Sequence, residues 1–147
     1  NKFDPRWAGI RLEALELLKK EQRLEQIVRL IGPDALPDTE RLVLSVAEMI
    51  KNGFLQQNAF DEVDVYSVPE KQILILQLMI GFYKRALAVI KQGCPLLKIN
   101  TLSCKEEIIR IKTTVPNDKI EMIKEVENHF ENEFGNLERL YRKVETI

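Results

Sequence analysis

One histidine, two cysteines and six glycines in 147 residues leave little material for chemistry. His129 stands among Glu127, Asn128 and Glu131. It reads as a surface histidine, since a ligand or base needs companions that the sequence does not place near it. Cys94 and Cys104 are too few for a disulfide framework and form no zinc motif, so a reduced, cytosolic chain is expected. A thiol nucleophile would depend on partners supplied by the fold alone. The glycines, at 9, 32, 53, 81, 93 and 135, fit neither G-x-x-x-x-G-K-[ST] nor G-x-G-x-x-G, which excludes a phosphate cradle. A basic excess is missing too: 22 Lys and Arg face 23 Asp and Glu, for a net charge of −1. Nothing in that balance attracts nucleic acid or an anionic membrane. The longest apolar run, Ile73 to Phe82, is broken by Gln77 and falls short of the roughly 20 residues a membrane span needs. It is expected as a buried core helix, with no direct membrane insertion. No signal peptide opens the chain. The start, "NKFDPRW", has no initiator Met, as expected of a fragment or a processed terminus.

What is present is helical periodicity. "DPRW" predicts a helix start, with Asp4 as N-cap and Pro5 at the first helical position. Ala14, Leu17, Leu18, Leu24, Ile27, Val28 and Ile31 then mark one apolar face, to about Leu30, before Gly32-Pro33. After the acidic loop "GPDALPDTE" a second helix is expected from Asp38, its N-cap, to about Gly53. Ser67-x-x-Glu70 is a capping-box pattern opening a central helix that runs to about Gln92. Ser103-x-x-Glu106 repeats the pattern for a short helix. Pro116-Asn117-Asp118 introduces a long last one, where Ile123, Phe130, Leu137 and Val144 fall seven apart beside Ile120, Phe134 and Tyr141. Such a seam calls for a partner helix. With no strand pattern or repeat, the fold class is all-α, a bundle of about four to five helices in a single domain, 1–147, with a long C-terminal helix. The expected core includes Leu17, Ile27, Leu44, Ile75, Leu78 and Phe82. The carboxylates sit at exposed helix positions; no catalytic or metal-binding residue is nominated.

One stretch resists the helical reading. "FLQQNAFDEVDVYS", residues 54 to 67, holds three amides, three acids and three aromatics with no apolar period. Together with "GPDALP" upstream, "FLQQNAFDEVD" resembles the C-terminal helical domain of the catalytic A subunit of archaeal A-type and vacuolar-type rotary ATPases. The resemblance is specific from about Trp7 to Gln92. It implies an excised terminal domain whose parent carries the phosphate loop, ATP or ADP and Mg²⁺ in a preceding domain. The isolated domain is then expected to hold no cofactor and to be inactive alone. Non-catalytic B subunits and a central stalk are the implied partners, and the location is cytoplasmic, peripheral to the membrane.

The resemblance also assigns residues. Phe60 and Tyr66 would enclose an adenine ring, with Gln57, Asn58 and Ala59 offering amide and backbone contacts. An irregular segment suits this, because it exposes backbone groups that a helix hides. The alternative is that Phe54, Phe60 and Tyr66 plug the end of the bundle, which is the favoured reading for Phe54. The loop around Asp34, Leu36, Asp38 and Glu40 corresponds to a tip that presses on the rotor. A free-standing helical interaction module, pairing through its last helix, is the competing function.

Overall fold

Helices, each with one apolar stripe, must bury those stripes against one another, and a bundle is the result. The structure, a computed structural model, describes residues 5–54 and 70–142. The expected cap at Asp4, the capping serine Ser67, the seam position Val144 and the segment 55–69 lie outside the described residues. Seven α-helices are described: α1 (Pro5–Ile31), α2 (Asp38–Gly53), α3 (Glu70–Lys91), α4 (Leu96–Asn100), α5 (Ser103–Ile109), α6 (Ile111–Thr114) and α7 (Ile123–Tyr141). There is no strand among the described residues. The all-α expectation holds.

α1, α2 and α3 pack mutually and form the first half of the core. In α1 the buried residues Trp7, Ala14, Leu17, Glu21 and Leu24 keep helical spacing. Ile27, expected in the core, is 37% exposed, and Ile31, expected on the same face, is 72% exposed. The face continues, but its cover does not, because the last two turns of α1 run on where little packs against them. Periodicity fixes which side of a helix is apolar, not how far the neighbour extends. α2 is amphipathic, burying Leu42, Val43, Val46, Met49 and Ile50, with Leu44 partly buried at the margin.

α3 is the central helix. Ile75, Leu78 and Phe82 are buried as expected, along with Ile73, Leu76, Met79 and Ile80. By length and composition it could cross a membrane, yet half of that window is buried inside this bundle. α7 lies against α3 and α5. Its seam, Ile123, Phe130, Phe134 and Leu137, is buried there, with Phe82 and Phe134 edge to face at 5.2 Å. The partner helix the seam requires is thus within the chain, which removes the main support for the interaction-module reading. α7 begins five residues after Asp118, following a 3-10 turn at Ile120–Met122.

Two expected caps are corrected. The cap position of α2 is Pro37, not Asp38. Asp38 Oδ2 instead accepts the Leu96 N–H at 2.9 Å, capping α4. Likewise Leu102, not Ser103, precedes α5. Ser103 donates its hydroxyl to Glu133 on α7, and Glu133 Oε1 accepts the Cys104 N–H at 2.8 Å. Both short helices are capped by carboxylates from distant parts of the chain, which no local motif can announce.

Candidate functional site

The tip between α1 and α2 starts at Gly32, whose φ of 104° and ψ of 158° belong to a region essentially reserved for glycine. Its N–H bonds Val28 O at 2.8 Å, closing α1. Pro33–Ala35 then form a 3-10 turn. Pro33 opens this turn and Pro37 follows it, and both restrict the backbone.

Of the four expected contact residues, Asp34 is exposed, and Asp38 and Glu40 are partly buried in the first turn of α2. Asp38 faces α4 through the bond already described. Leu36 is 5% exposed and packed in the core, where it anchors the tip. The apolar side chains that do face outward are Leu30, 85% exposed, and Ile31, 72% exposed, with Pro33, Ala35 and Pro37 beside them. Periodicity places Ile31 in the core, but two adjacent apolar residues directly before a Gly-Pro stop are a usable signal for an exposed apolar end.

The adenine candidates Gln57, Asn58, Ala59, Phe60 and Tyr66 lie outside the described residues, while their flanks are well placed. Phe54 is 2% exposed and its ring lies 6.1 Å from Trp7, in keeping with a core plug. On the far side, Glu70 opens α3 and pairs with Arg6 at 2.6 Å. Lys71 is 8% exposed, an unusual position for a lysine. Its Nζ donates to Val115 O at 2.5 Å, Lys112 O at 3.1 Å and Asn117 Oδ1 at 3.1 Å. Burial lowers its pKa. Its register on the buried face, four residues before Ile75, is the sequence signal for it.

Reactive chemistry is sparse elsewhere. Burial pushes the Cys104 thiol far up, reinforced by Glu133, and burial also raises Cys94, so both are poor nucleophiles. His129 is 59% exposed and pairs with Glu107 at 3.0 Å. Among the described residues no group of three His, Cys, Asp or Glu could hold a metal. The two glycines with positive φ, Gly32 and Gly93, both follow helix C-termini, where carbonyls rather than amides point outward. A triphosphate and its Mg²⁺ therefore do not fit the described residues. A cleft of about 460 Å³ between α3 and α7, lined by Leu74, Leu78, Ile123 and Phe130, shares no residue with either candidate site.

The described residues form an all-α bundle with a partly apolar tip between α1 and α2. Comparison gives the family. Residues 1–100 match the model of the C-terminal domain of V and A type ATP synthase, and the chain belongs to that family. The chain is 45% identical over 132 residues to the A subunit of the A-type ATP synthase of Pyrococcus abyssi, covering 89% of this chain and 13% of that protein. It is 45% identical over 132 residues to the corresponding protein of Methanopyrus kandleri, covering 89% of this chain and 22% of that protein. The V-type ATP synthase alpha chain of Halothermothrix orenii is 39% identical over 137 residues, covering 93% of this chain and 23% of that protein. The chain thus spans less than a quarter of the length of these relatives.

Proposed function

We propose that this chain is the C-terminal domain of the catalytic subunit of an ion-translocating V/A-type ATP synthase or ATPase, where it closes the adenine end of the nucleotide site and touches the central rotor. ATP or ADP with Mg²⁺ would be held at its phosphates by a preceding domain, and this chain alone would not turn it over. B subunits and a central stalk are the partners, in a head on the cytoplasmic side, peripheral to the membrane. The observation that carries the reading is the family match across residues 1–100, which includes both the tip and the 54–67 stretch. The exposed pair Leu30 and Ile31 supports a rotor contact made by apolar shape, since exposed ion pairs contribute only about 0 to 1 kcal/mol.

The test uses the whole subunit in its assembled complex. Leu30→Ser with Ile31→Ser should lower torque or coupling while shifting stability by less than about 0.5 kcal/mol, because both side chains are already exposed. Asp34→Ala should leave rotation largely intact. Unchanged torque and coupling in the Leu30/Ile31 variant would reduce the tip to a connector. At the other end, Phe60→Ala should weaken ATP binding by about 1 to 3 kcal/mol and tripolyphosphate binding much less. Equal weakening of both would remove the adenine contact.

A further inference from the structure

α3 and α7 run side by side in one direction: Gly81 stands opposite Phe130, Phe82 opposite Phe134, and Arg85 opposite Glu138. Before Phe130 the two helices leave the cleft of about 460 Å³ between them. Leu78, Ile123 and Phe130 are buried at its base, while Leu74, Gln77 and Ile120 stay half-buried along it. Glu121, Lys124, Glu127 and Glu131 complete the lining. Lys124 pairs with Glu127 at 3.4 Å, and Arg85 pairs with Glu131 and with Glu138 beyond it, each at 2.7 Å. Two cations thus face four carboxylates around the cleft. The surface along α7 is as one-sided: residues 118–141 hold seven Asp and Glu against three Lys and Arg, a net −4 within a chain of net −1.

We propose that this cleft is the docking site for a basic amphipathic helix of a partner protein, engaged over about three turns. The proposal rests on neither the tip nor the adenine reading. Length and period set the form of the occupant. On α7 the lining runs from Ile120 to Glu131, a span of roughly 16 Å at the rise of a helix. On α3, Leu74, Gln77 and Leu78 repeat the i, i+3, i+4 spacing of one helix face. A third helix laid between two such rows presents its own apolar residues at the same period. It completes the burial of Leu74 and Ile120, which this chain leaves half covered. Charge sets the composition of the occupant. Lys or Arg beside its apolar stripe meets the surplus carboxylates, whereas nucleic acid or an anionic bilayer is repelled by them. The carboxylates then govern partner choice and the speed of encounter, and the apolar anchors govern residence.

The probe is a fluorescein-labelled helical peptide of about 18 residues, with one leucine stripe at helical period and lysine on the flanks. Titrated into the 147-residue chain, it should bind in the micromolar range and more weakly as salt rises. The methyl NMR signals of Leu74, Leu78, Ile120 and Ile123 should shift most. A version with glutamate for lysine, and a scrambled version without a stripe, should each bind at least about 10-fold more weakly. Glu121→Lys, at an exposed position in the cleft, should weaken binding about 5-fold. Glu125→Lys makes the same charge change in the separate cleft between α5 and α7, and should weaken it less than about 2-fold. Leu74→Gln should weaken binding about 5-fold by removing an apolar anchor, and Glu121→Lys decides the matter if that variant fails to fold. Equal effects of Glu121→Lys and Glu125→Lys, or equal binding of the scrambled peptide, would reduce the contact to diffuse charge attraction and overturn the proposal. No binding at about 1 mM chain, or methyl shifts centred on Met122 and Val126, would overturn it as well. So would association of the chain with vesicles of anionic phospholipid through the same methyl groups.

Discussion

Glu133 offers a direct measure of how the C-terminal helices are held. α5 has only seven residues, too few to persist on helical propensity, and its first amides depend on acceptors from elsewhere. Glu133 supplies both oxygens, one to the Cys104 N–H at 2.8 Å and one to the Ser103 hydroxyl. Replacing a capping side chain typically costs about 1 kcal/mol, and a hydrogen bond to a charged acceptor contributes about 1.5 to 3 kcal/mol. Because Glu133 is only partly buried, the low end applies. Glu133→Ala should lose about 1 to 2 kcal/mol in urea unfolding at neutral pH, and Glu133→Gln, which keeps one acceptor oxygen, about half of that.

The pH dependence is the sharper observable. Burial favours the neutral acid, but the hydrogen bonds from Ser103 and Cys104 outweigh it and hold the Glu133 carboxyl below its ordinary 4.5. A depressed folded-state pKa means that the native state binds the proton less readily than the unfolded state. The stabilisation is therefore complete above 4.5 and is lost as pH falls through the lower folded value. The gap between the natural chain and Glu133→Gln should be constant from pH 8 to about 5.5 and shrink below about 4.5. A gap that stays constant down to pH 3, or is under about 0.3 kcal/mol throughout, would refute the tertiary cap.

Leu78→Ala should destabilise by about 2 to 5 kcal/mol in urea or guanidinium, and a loss below about 0.5 kcal/mol would contradict the central place of α3. Gly32→Ala should cost about 1 to 3 kcal/mol from backbone strain alone, since nothing lies within 4 Å of the added methyl; a neutral result would mean that the tip relaxes freely. Arg85 bonds Glu138 at 2.7 and 2.9 Å and Glu131 at 2.7 Å, and stands 5.4 Å over the Phe130 ring. Arg85→Met should therefore cost about 1 to 3 kcal/mol, part of it screened by salt; a loss wholly insensitive to 1 M salt would assign the role to packing.

The long helices are legible because their apolar faces repeat: Leu17, Ile75, Leu78 and Phe82 all fall inside as read. Periodicity misplaces Ile27 and Ile31 because a face is a property of one helix, whereas burial is a property of two. α4 and α6, with five and four residues, carry no period to detect. Asp38 and Ser103 read as local caps because such residues usually are, yet both turn to distant partners. At the tip the stop at Gly32-Pro33 is plain from the residues, but Leu36, read as a contact residue of the loop, is packed inside. Asp34 is at the surface, as expected of an acid in a turn. The adenine candidates lie outside the described residues, and their assignment rests on the quoted motif, not on periodicity.

A consistent physical division follows. The half of the domain built from α1 to α3 is held by contiguous apolar stripes, as in any bundle. The short helices of residues 96–114 cannot be held that way, since each is too small to bury a full stripe. They are fastened by polar crosslinks at their ends: Asp38 at the start of α4, Glu133 at the start of α5, and Lys71 at the end of α6. Directional bonds of this kind fix orientation, which apolar contact alone leaves loose. Removing any one partner leaves a buried or half-buried polar group without its mate, so the linkage between the two halves should be more sensitive to single polar substitutions than the bundle core is to volume-conserving apolar ones.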